Sequence, residues 1–272
     1  MALATRFGSG TRTMTLDTPL TDDQLFRVAP SIFAEDKHGS RSDRYTYIPT
    51  IEVLNGLRNE GFQPFMAAQS RSRIEGKSEF TKHMVRLRQA GQITGPEAFE
   101  IILINSHDGT SSYQMLAGIF RFVCHNGMVT GDTIQDMRIP HRGNITDNVI
   151  DAAYTILEDY DTAAEEIEKM KSLQLTEGEQ AAYAQAALAL KYEDYAPVEP
   201  DQLLQARRYE DRKDSIWSTF NRVQENMIKG GLHGRTTNGK KTSTRKVQSI
   251  DTDVKLNKAL WILANKMAEY KA

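Results

Sequence analysis

The order of apolar and polar positions divides the chain into a half that predicts strands and a half that predicts helices. Up to about residue 143, apolar residues alternate with polar ones or form short continuous runs, which is typical of strands. Beyond residue 143 they recur at the spacing of one helix face. We therefore predict an α+β fold in which a sheet-containing region (1–143) and a helical region (144–272) pack as one domain.

The clearest alternation lies in residues 63–73 and 80–88, which predict an antiparallel hairpin across a Gly-Lys-Ser turn. In FTKHMVRLR, basic residues alternate with His83, Val85 and Leu87, as expected for a sheet with one wet and one buried face. A favourable register would place five cations on one sheet surface: Arg71, Arg73, Lys82, Arg86 and Arg88. A slip by one residue would scatter them.

Other strand signals in this half are shorter. Residues 99–105 are apolar on both faces apart from Glu100, which predicts a central strand. Residues 45–48 have strong strand propensity and lead into a short helix that begins near Thr50. Residues 1–17 show no pattern and predict a polar arm.

Helix starts are marked by two capping boxes. Thr21 is followed three residues later by Gln24, and Thr176 by Glu179, which is the spacing at which both side chains can cap the helix amides. Residues 150–170 place apolar side chains opposite acidic ones and predict one long amphipathic helix.

Residues 228–246 form a glycine-broken basic segment between two predicted helices. It has no acidic residue, although the whole chain has a net charge of -2. Its glycines, serines and threonines cannot build a core, so we predict a flexible internal loop. A polyanion is the natural partner, and a solvated surface loop is the alternative. The cations are Lys229, Arg235, Lys240, Lys241, Arg245 and Lys246.

Aromatic residues lie next to the basic hairpin in this strand assignment. Aromatic rings beside arginines hold single-stranded nucleic acid by base stacking combined with phosphate contact. The alternative is that at least two of these rings belong to the core, because aromatic side chains are usually buried. The candidate stacking residues are Tyr45, Tyr47, Phe65 and Phe80.

No sequence motif indicates catalysis or a cofactor. The six histidines lack zinc-ligand spacing, and HExxH, CxxC, GxSxG, GxGxxG and the Walker motif are absent. We therefore predict no catalytic residue, no metal and no cofactor. The enzymatic alternative is a metal-dependent nuclease that uses His107 and Asp108 together with the region of Asp36 and His38.

The chain shows no membrane or export signal. It has no run of 18 apolar residues and no apolar N-terminal segment of the secretory type. The single cysteine, Cys124, excludes an intramolecular disulfide framework and fits a reducing compartment. We predict a cytoplasmic protein that does not bind membranes.

Several long strings resemble one family. RYTYIPT from Arg44, TKHMVRLR from Thr81, INSHDGTSSYQ from Ile104, FRFVCHNGM from Phe120 and IKGGLHGR from Ile228 resemble the YafZ/YfjQ-like family of prophage- and plasmid-borne bacterial proteins. The resemblance covers essentially the full chain. The family is functionally uncharacterised, and its mobile-element context implies a task in DNA upkeep, recombination or defence evasion. The predicted element order is also similar to the β-β-β-α core of phage-type single-strand annealing proteins.

Together these features predict a non-enzymatic protein that binds single-stranded DNA, acts as a homo-oligomer and promotes strand annealing or recombination for a mobile element. The basic hairpin and the basic segment would contact phosphates. The alternative is a mobile-element regulator or anti-defence protein whose basic segment meets an acidic surface of a host protein.

Overall fold

A computed structural model gives the fold and describes residues 11–35, 47, 49–72, 76–89, 96–109, 111, 113–122, 126–130, 137–139, 145–158 and 160–272. The α+β class predicted from the sequence is confirmed. The chain forms two compact units, one made of Met1–Phe120 with Ile134–Asp159 and one made of Arg121–Thr133 with Tyr160–Ala272. That both regions pack as one domain stays a prediction.

The described strands and helices follow one another along the chain. The strands are β1 (Thr11–Thr15), β2 (Phe62–Ser70), β3 (His83–Gln89), β4 (Glu97–Asn105), β5 (Tyr113–Arg121), β6 (Asn126–Val129), β7 (Met137–Ile139), β8 (His233–Arg235) and β9 (Lys241–Ser243). The helices are α1 (Asp22–Val28), α2 (Thr50–Asn59), α3 (Ile145–Glu158), α4 (Tyr160–Ser172), α5 (Glu177–Lys191), α6 (Pro200–Leu203), α7 (Ile216–Lys229) and α8 (Ile250–Lys271).

The first unit is built on a sheet in which β1 to β5 lie in sequence order and β7 also pairs with β5. β2 and β3 form the predicted antiparallel hairpin, and β4 is the central strand predicted at residues 99–105. The predicted arm at residues 1–17 is wrong in part, because residues 11–15 form β1 and pair with β2. Of the predicted strand at 45–48, only Tyr47 lies among the described residues, and it is not in a strand.

Helices α2 and α3 pack together beside the sheet, and α2 also contacts β2. α2 buries Val53, Leu54 and Leu57, whose spacing follows one helix face. The two helices approach closely at Gly56, where an added Cβ would lie 3.1 Å from Cγ2 of Thr146. The apolar face of α2 therefore closes part of the core of this unit.

The second unit surrounds α7 with other helices. Every residue of α7 from Ile216 to Met227 is buried, and the helix contacts α4, α5, α6 and α8. Trp217 and Phe220 of α7 pack against Trp261 of α8, with ring centroids 6.4 and 5.9 Å apart. Residues 150–170, predicted as one long amphipathic helix, are helical at every described position, in α3 and α4, and residue 159 between them lies outside the described residues.

Both predicted capping boxes are present. The side chain of Thr21 accepts from the amide of Gln24, and the side chain of Gln24 accepts from the amide of Thr21. The same reciprocal pair joins Thr176 and Glu179 at the start of α5. Capping depends on residues within one turn, so this part of the structure is determined locally.

Candidate nucleic-acid interface

The basic segment at residues 228–246 is not a flexible loop, as predicted, but an ordered antiparallel ribbon. His233, Gly234 and Arg235 of β8 pair with Ser243, Thr242 and Lys241 of β9. The turn is closed by a hydrogen bond from the amide of Gly239 to the carbonyl of Thr236 at 2.8 Å. Gly239 has φ +74, the left-handed conformation that this type of hairpin requires. We call residues 230–246 the basic ribbon.

The base of the basic ribbon is fixed to α7. The amide of Gly231 donates to the carbonyl of Thr244, and the amide of Val247 donates to the carbonyl of Ile228, each at 2.8 Å. Arg207 also stabilises the junction between α7 and the ribbon. Its Nε donates to Asn226 Oδ1 at 2.6 Å, and its Nη2 donates to the carbonyl of Gly230 at 2.5 Å. Backbone pairing and one arginine therefore define where the ribbon leaves the helix.

One side of the basic ribbon lies against the segment that precedes α6. A Cβ added to Gly234 would lie 1.8 Å from the carbonyl oxygen of Pro197, so the two backbones are in close contact. The amide of Arg235 donates to the same carbonyl at 2.9 Å, and Gln202 Nε2 donates to the carbonyl of His233 at 2.8 Å. The ribbon is therefore seated on the second unit with its Gly234 side inward.

The opposite side of the basic ribbon carries exposed cations. Side chains alternate along a strand, so the residues next to Gly234 and Thr242 point away from Pro197. Arg235 and Lys241 are direct partners across the two strands on this outward side. No ion pair with a described residue involves Arg235, Lys240, Lys241 or Arg245. Counting both sides and the ends of the ribbon, the exposed cations are Arg235, Lys240, Lys241, Arg245 and Lys246.

Lys229, the sixth predicted cation, is already paired. Its Nζ lies 2.7 Å from Glu225 Oε1, and Arg208 Nη2 lies 3.1 Å from the same oxygen. Burial raises the pKa of Glu225, but hydrogen bonds and charge from Lys229 and Arg208 outweigh burial and lower it. This carboxylate therefore neutralises Lys229.

The β2–β3 register does not produce the predicted basic sheet surface. Gln69 lies opposite His83, and Ala67 lies opposite Val85. Because Arg71 follows Gln69 by two residues, it continues the sheet face that carries His83, whereas Arg86 lies on the other face. Arg71 is exposed beyond the end of β2, and Lys82 is half-buried ahead of β3. Arg73 lies outside the described residues. The hairpin was predicted correctly and its shared cationic face was not.

Arg86 and Arg88 are buried in an ion-pair cluster, which corrects their predicted exposure. Arg86 Nη1 lies 2.8 Å from Glu100 Oε2, and Arg88 Nε lies 2.9 Å from Glu100 Oε1. The guanidinium of Arg88 also packs between the rings of Phe65 and Phe120, 4.5 and 3.9 Å from their centroids. The sequence signal for this cluster was Glu100, the one carboxylate within the apolar run at residues 99–105. A phosphate chain does not reach cations in this position.

The candidate stacking residues do not form an exposed aromatic platform. Phe65 is buried under Arg88. Phe80 is half-buried, and Tyr47 is half-buried with its ring 5.0 Å from that of His107. Tyr45 lies outside the described residues. The core alternative given for this set therefore holds for Phe65.

His107 and Asp108, the residues of the nuclease alternative, are buried beyond the end of β4. Both backbone amides donate to the carbonyl of Phe80, at 3.0 and 3.1 Å, and Asp108 lies 3.8 Å from Lys77 Nζ. Among the residues that the structure describes, no three His, Cys, Asp or Glu side chains form a group that could hold a metal ion. Asp36 and His38 lie outside the described residues.

The chain belongs to the family described as a domain of unknown function, DUF932, which matches residues 37–261. It is 53% identical over 263 residues to the UPF0380 protein YafZ of Escherichia coli (strain K12), covering 96% of each chain. The UPF0380 protein YfjQ of the same strain is also 53% identical, over 96% of each chain. These relatives confirm the predicted family. No solved structure matches the chain significantly.

None of the helices in the described part of the chain combines the length and apolar character needed to cross a membrane.

Proposed function

We propose that this protein binds DNA through the sugar-phosphate backbone, with the outward side of the basic ribbon as its contact surface. The observation that carries the proposal is the direct cross-strand pairing of Arg235 with Lys241 on exposed strands, where neither side chain has a carboxylate partner among the described residues. Like charges placed directly opposite each other in a sheet destabilise it. A line of phosphates relieves this repulsion and binds both side chains.

The ordered conformation of the basic ribbon favours DNA binding. A flexible loop would lose conformational entropy when it met a ligand, whereas the basic ribbon is already ordered by backbone hydrogen bonds between its strands and by the bond from Arg235 to Pro197. Its cations therefore present a preformed arrangement of charge. A two-stranded ribbon is also of a size that the major groove of duplex DNA admits.

The basis of the proposal differs from the one predicted from the sequence. Arg86 and Arg88 are buried and share Glu100 as an ion-pair partner, and the ribbon contains no Phe, Tyr or Trp that could stack on a base. Contact is therefore directed at phosphates, which single strands and duplexes share. The narrower proposal, a strand-annealing or recombination factor, requires in addition that single strands bind more tightly than duplex and that complementary strands anneal faster with the protein.

The direct test is fluorescence anisotropy with labelled single-stranded DNA, duplex DNA and RNA of equal length, over a range of salt concentrations. Each phosphate contact on duplex DNA contributes about 0.9 to the slope of log affinity against log salt. We expect Arg235→Glu combined with Lys241→Glu to weaken binding at least about tenfold at low salt and to lower the slope by about 2.

A matched control separates the effect of the ribbon cations from the effect of the net charge of the protein. Lys169→Glu combined with Lys255→Glu changes the net charge equally at exposed positions on α4 and α8. We expect this control to retain most of the binding. Equal losses in both double variants, or no binding of any of the three nucleic acids at 50 mM salt, would contradict the proposal. The second result would leave an acidic surface of a host protein as the partner of the ribbon.

A further inference from the structure

A continuous chain of buried hydrogen bonds crosses the first unit between Gln69 and His107. Ser31 Oγ lies 2.8 Å from Gln69 Oε1 and 2.8 Å from His83 Nδ1. On the other side of the imidazole, His83 Nε2 lies 2.9 Å from Thr50 Oγ1, which lies 3.3 Å from His107 Nε2. All five side chains are buried, and those of Ser31, Thr50, His83 and His107 have no exposed surface. We call these five residues the buried polar chain.

The direction of the first half of the buried polar chain is set by two backbone groups. The amide of Ser31 donates to Gln69 Oε1 at 3.0 Å, and Gln69 Nε2 donates to the carbonyl of Ser78 at 2.6 Å. Gln69 Oε1 is therefore an acceptor, and the hydroxyl of Ser31 must donate to it. Ser31 Oγ then accepts from His83, so Nδ1 of His83 carries a hydrogen.

A second contact at His83 agrees with this tautomer. Nδ1 also lies 3.3 Å from the carbonyl of Thr81, which can only accept. Burial, together with the charge of His107, lowers the pKa of His83 from 6.5 to about 3, although the hydrogen bond to Thr81 opposes this shift. The imidazole is therefore neutral near pH 7, and its Nε2 is an acceptor.

The second half of the buried polar chain follows from the capacity of one hydroxyl. Thr50 has one hydrogen, which it donates to His83 Nε2, and two lone pairs. Asn105 Nδ2 donates to one lone pair at 3.0 Å. The other accepts from His107 Nε2, so His107 carries its hydrogen on Nε2. The hydroxyl of Thr50 can therefore donate one hydrogen bond and accept two, and this arrangement holds only while His83 is neutral.

Protonation of His83 breaks this balance. His83 Nε2 would become a donor, and Thr50 Oγ1 would face three donors, from His83, His107 and Asn105, with two lone pairs. One contact must then be lost. The contact at risk joins two elements, since Thr50 is the first residue of α2 and His83 is the first residue of β3, whereas Nδ1 of a protonated His83 still donates to Ser31.

We propose that the buried polar chain is a pH-sensitive lock, which holds the start of α2 against the sheet while His83 is neutral and releases it in acid. His107, at the end of β4, is the titratable group that faces His83. The side chains from the other elements are Ser31, Thr50 and Gln69, none of which ionises. The lock is independent of DNA binding by the basic ribbon.

The direction of the pH effect follows from proton counting. Between pH 6.5 and about 3, the open or unfolded state binds a proton at His83 that the closed state excludes. Stability is therefore full above pH 6.5 and falls as the pH is lowered. The equilibrium constant for opening increases by up to about tenfold for each pH unit within this window.

Two measurements test the lock. Nitrogen-15 NMR of the histidine side chains at pH 6 should show His83 unprotonated with its hydrogen on Nδ1, and His107 with hydrogen on Nε2. Hydrogen exchange at pH 5 and pH 7, corrected for intrinsic rates, should show that the equilibrium constant for opening of the first turn of α2 is about tenfold or more larger in acid, while β4 stays protected.

Variants connect the opening to His83. In His83→Gln, which cannot titrate, we expect the acid-induced increase in opening to be lost or strongly reduced. His233→Gln removes an exposed histidine of the basic ribbon and should behave like the wild type. A hydrogen on Nε2 of His83, a His83 titration midpoint near 6.5, or the same acid response in His83→Gln would overturn the lock. The NMR experiment uses the wild-type chain and does not depend on whether a variant folds.

Discussion

Arg235 and Lys241 lie directly opposite each other on the two strands of the basic ribbon. Two exposed cations in this position repel each other, because cross-strand partners have their Cβ atoms only about 5 Å apart. The ribbon keeps its shape despite this repulsion, since its backbone is bonded to α7 and to Pro197. The repulsion and the binding of an anionic ligand are therefore two consequences of one arrangement.

The first prediction concerns this pair. We expect Lys241→Gln to stabilise the protein by about 0.2–1 kcal/mol at low salt while it weakens DNA binding. Urea unfolding at low salt and at 1 M salt measures the effect, because salt screens exposed charges and should remove the gain. A loss of stability at low salt would show that Lys241 has a favourable partner.

The second prediction concerns the contact between the basic ribbon and Pro197. In Gly234→Ala, the new Cβ would lie 1.8 Å from the carbonyl oxygen of Pro197, so β8 must move and its hydrogen bond from the amide of Arg235 is lost. We expect destabilisation of about 1–3 kcal/mol and weaker DNA binding, measured by thermal unfolding and anisotropy.

A second glycine provides the control for Gly234. Gly178 lies in α5 with no heavy atom within 4 Å of its would-be Cβ. Gly178→Ala should leave DNA binding unchanged and stability equal or higher, because alanine favours helix over glycine by up to about 1 kcal/mol. Equal behaviour of the two alanine variants would argue against close seating of the ribbon.

The third prediction concerns the buried ion-pair cluster in the first unit. Glu100→Gln would remove the buried carboxylate that pairs with both Arg86 and Arg88, and breaking a buried ion pair costs about 3–5 kcal/mol in comparable cases. We expect a large decrease in the free energy of unfolding. Glu168→Gln, which removes the exposed partner of Lys171, should change it by less than about 1 kcal/mol. Similar small effects in both variants would place Arg86 and Arg88 in contact with water.

The fourth prediction separates charge from position in the basic ribbon. Arg207→Lys keeps the positive charge, but one ammonium group cannot reproduce the two bonds to Asn226 and Gly230. We expect weaker DNA binding with an unchanged salt slope, because the number of phosphate contacts stays the same while the ribbon loosens. Arg212→Lys, at an exposed arginine over the ring of Tyr209, is the matched control and should bind normally.

The local patterns of the sequence determined much of the fold. Capping boxes at Thr21 and Thr176 were read correctly, because their partners lie three residues away. The β2–β3 hairpin and the central strand β4 were also predicted, since alternation and continuous apolar runs report burial directly. Composition located the basic segment, although not its conformation.

The ribbon escaped prediction because its order comes from distant contacts. The glycine, asparagine and lysine residues of this segment disfavour a strand, and the ribbon forms on Pro197, Arg207 and the end of α7. The burial of Arg86 and Arg88 depended on the sheet register and on Glu100, which lies on the next strand.

The sequence by itself determined the α+β class, the family, the hairpin and the concentration of charge in residues 228–246. Only the tertiary structure decided which arginines are buried, which side of the ribbon is outward and which nitrogen of His83 carries its hydrogen. The physical reason is separation along the chain. Ser31 bonds to His83 across 52 positions and Thr50 to His107 across 57, so no local pattern records these contacts.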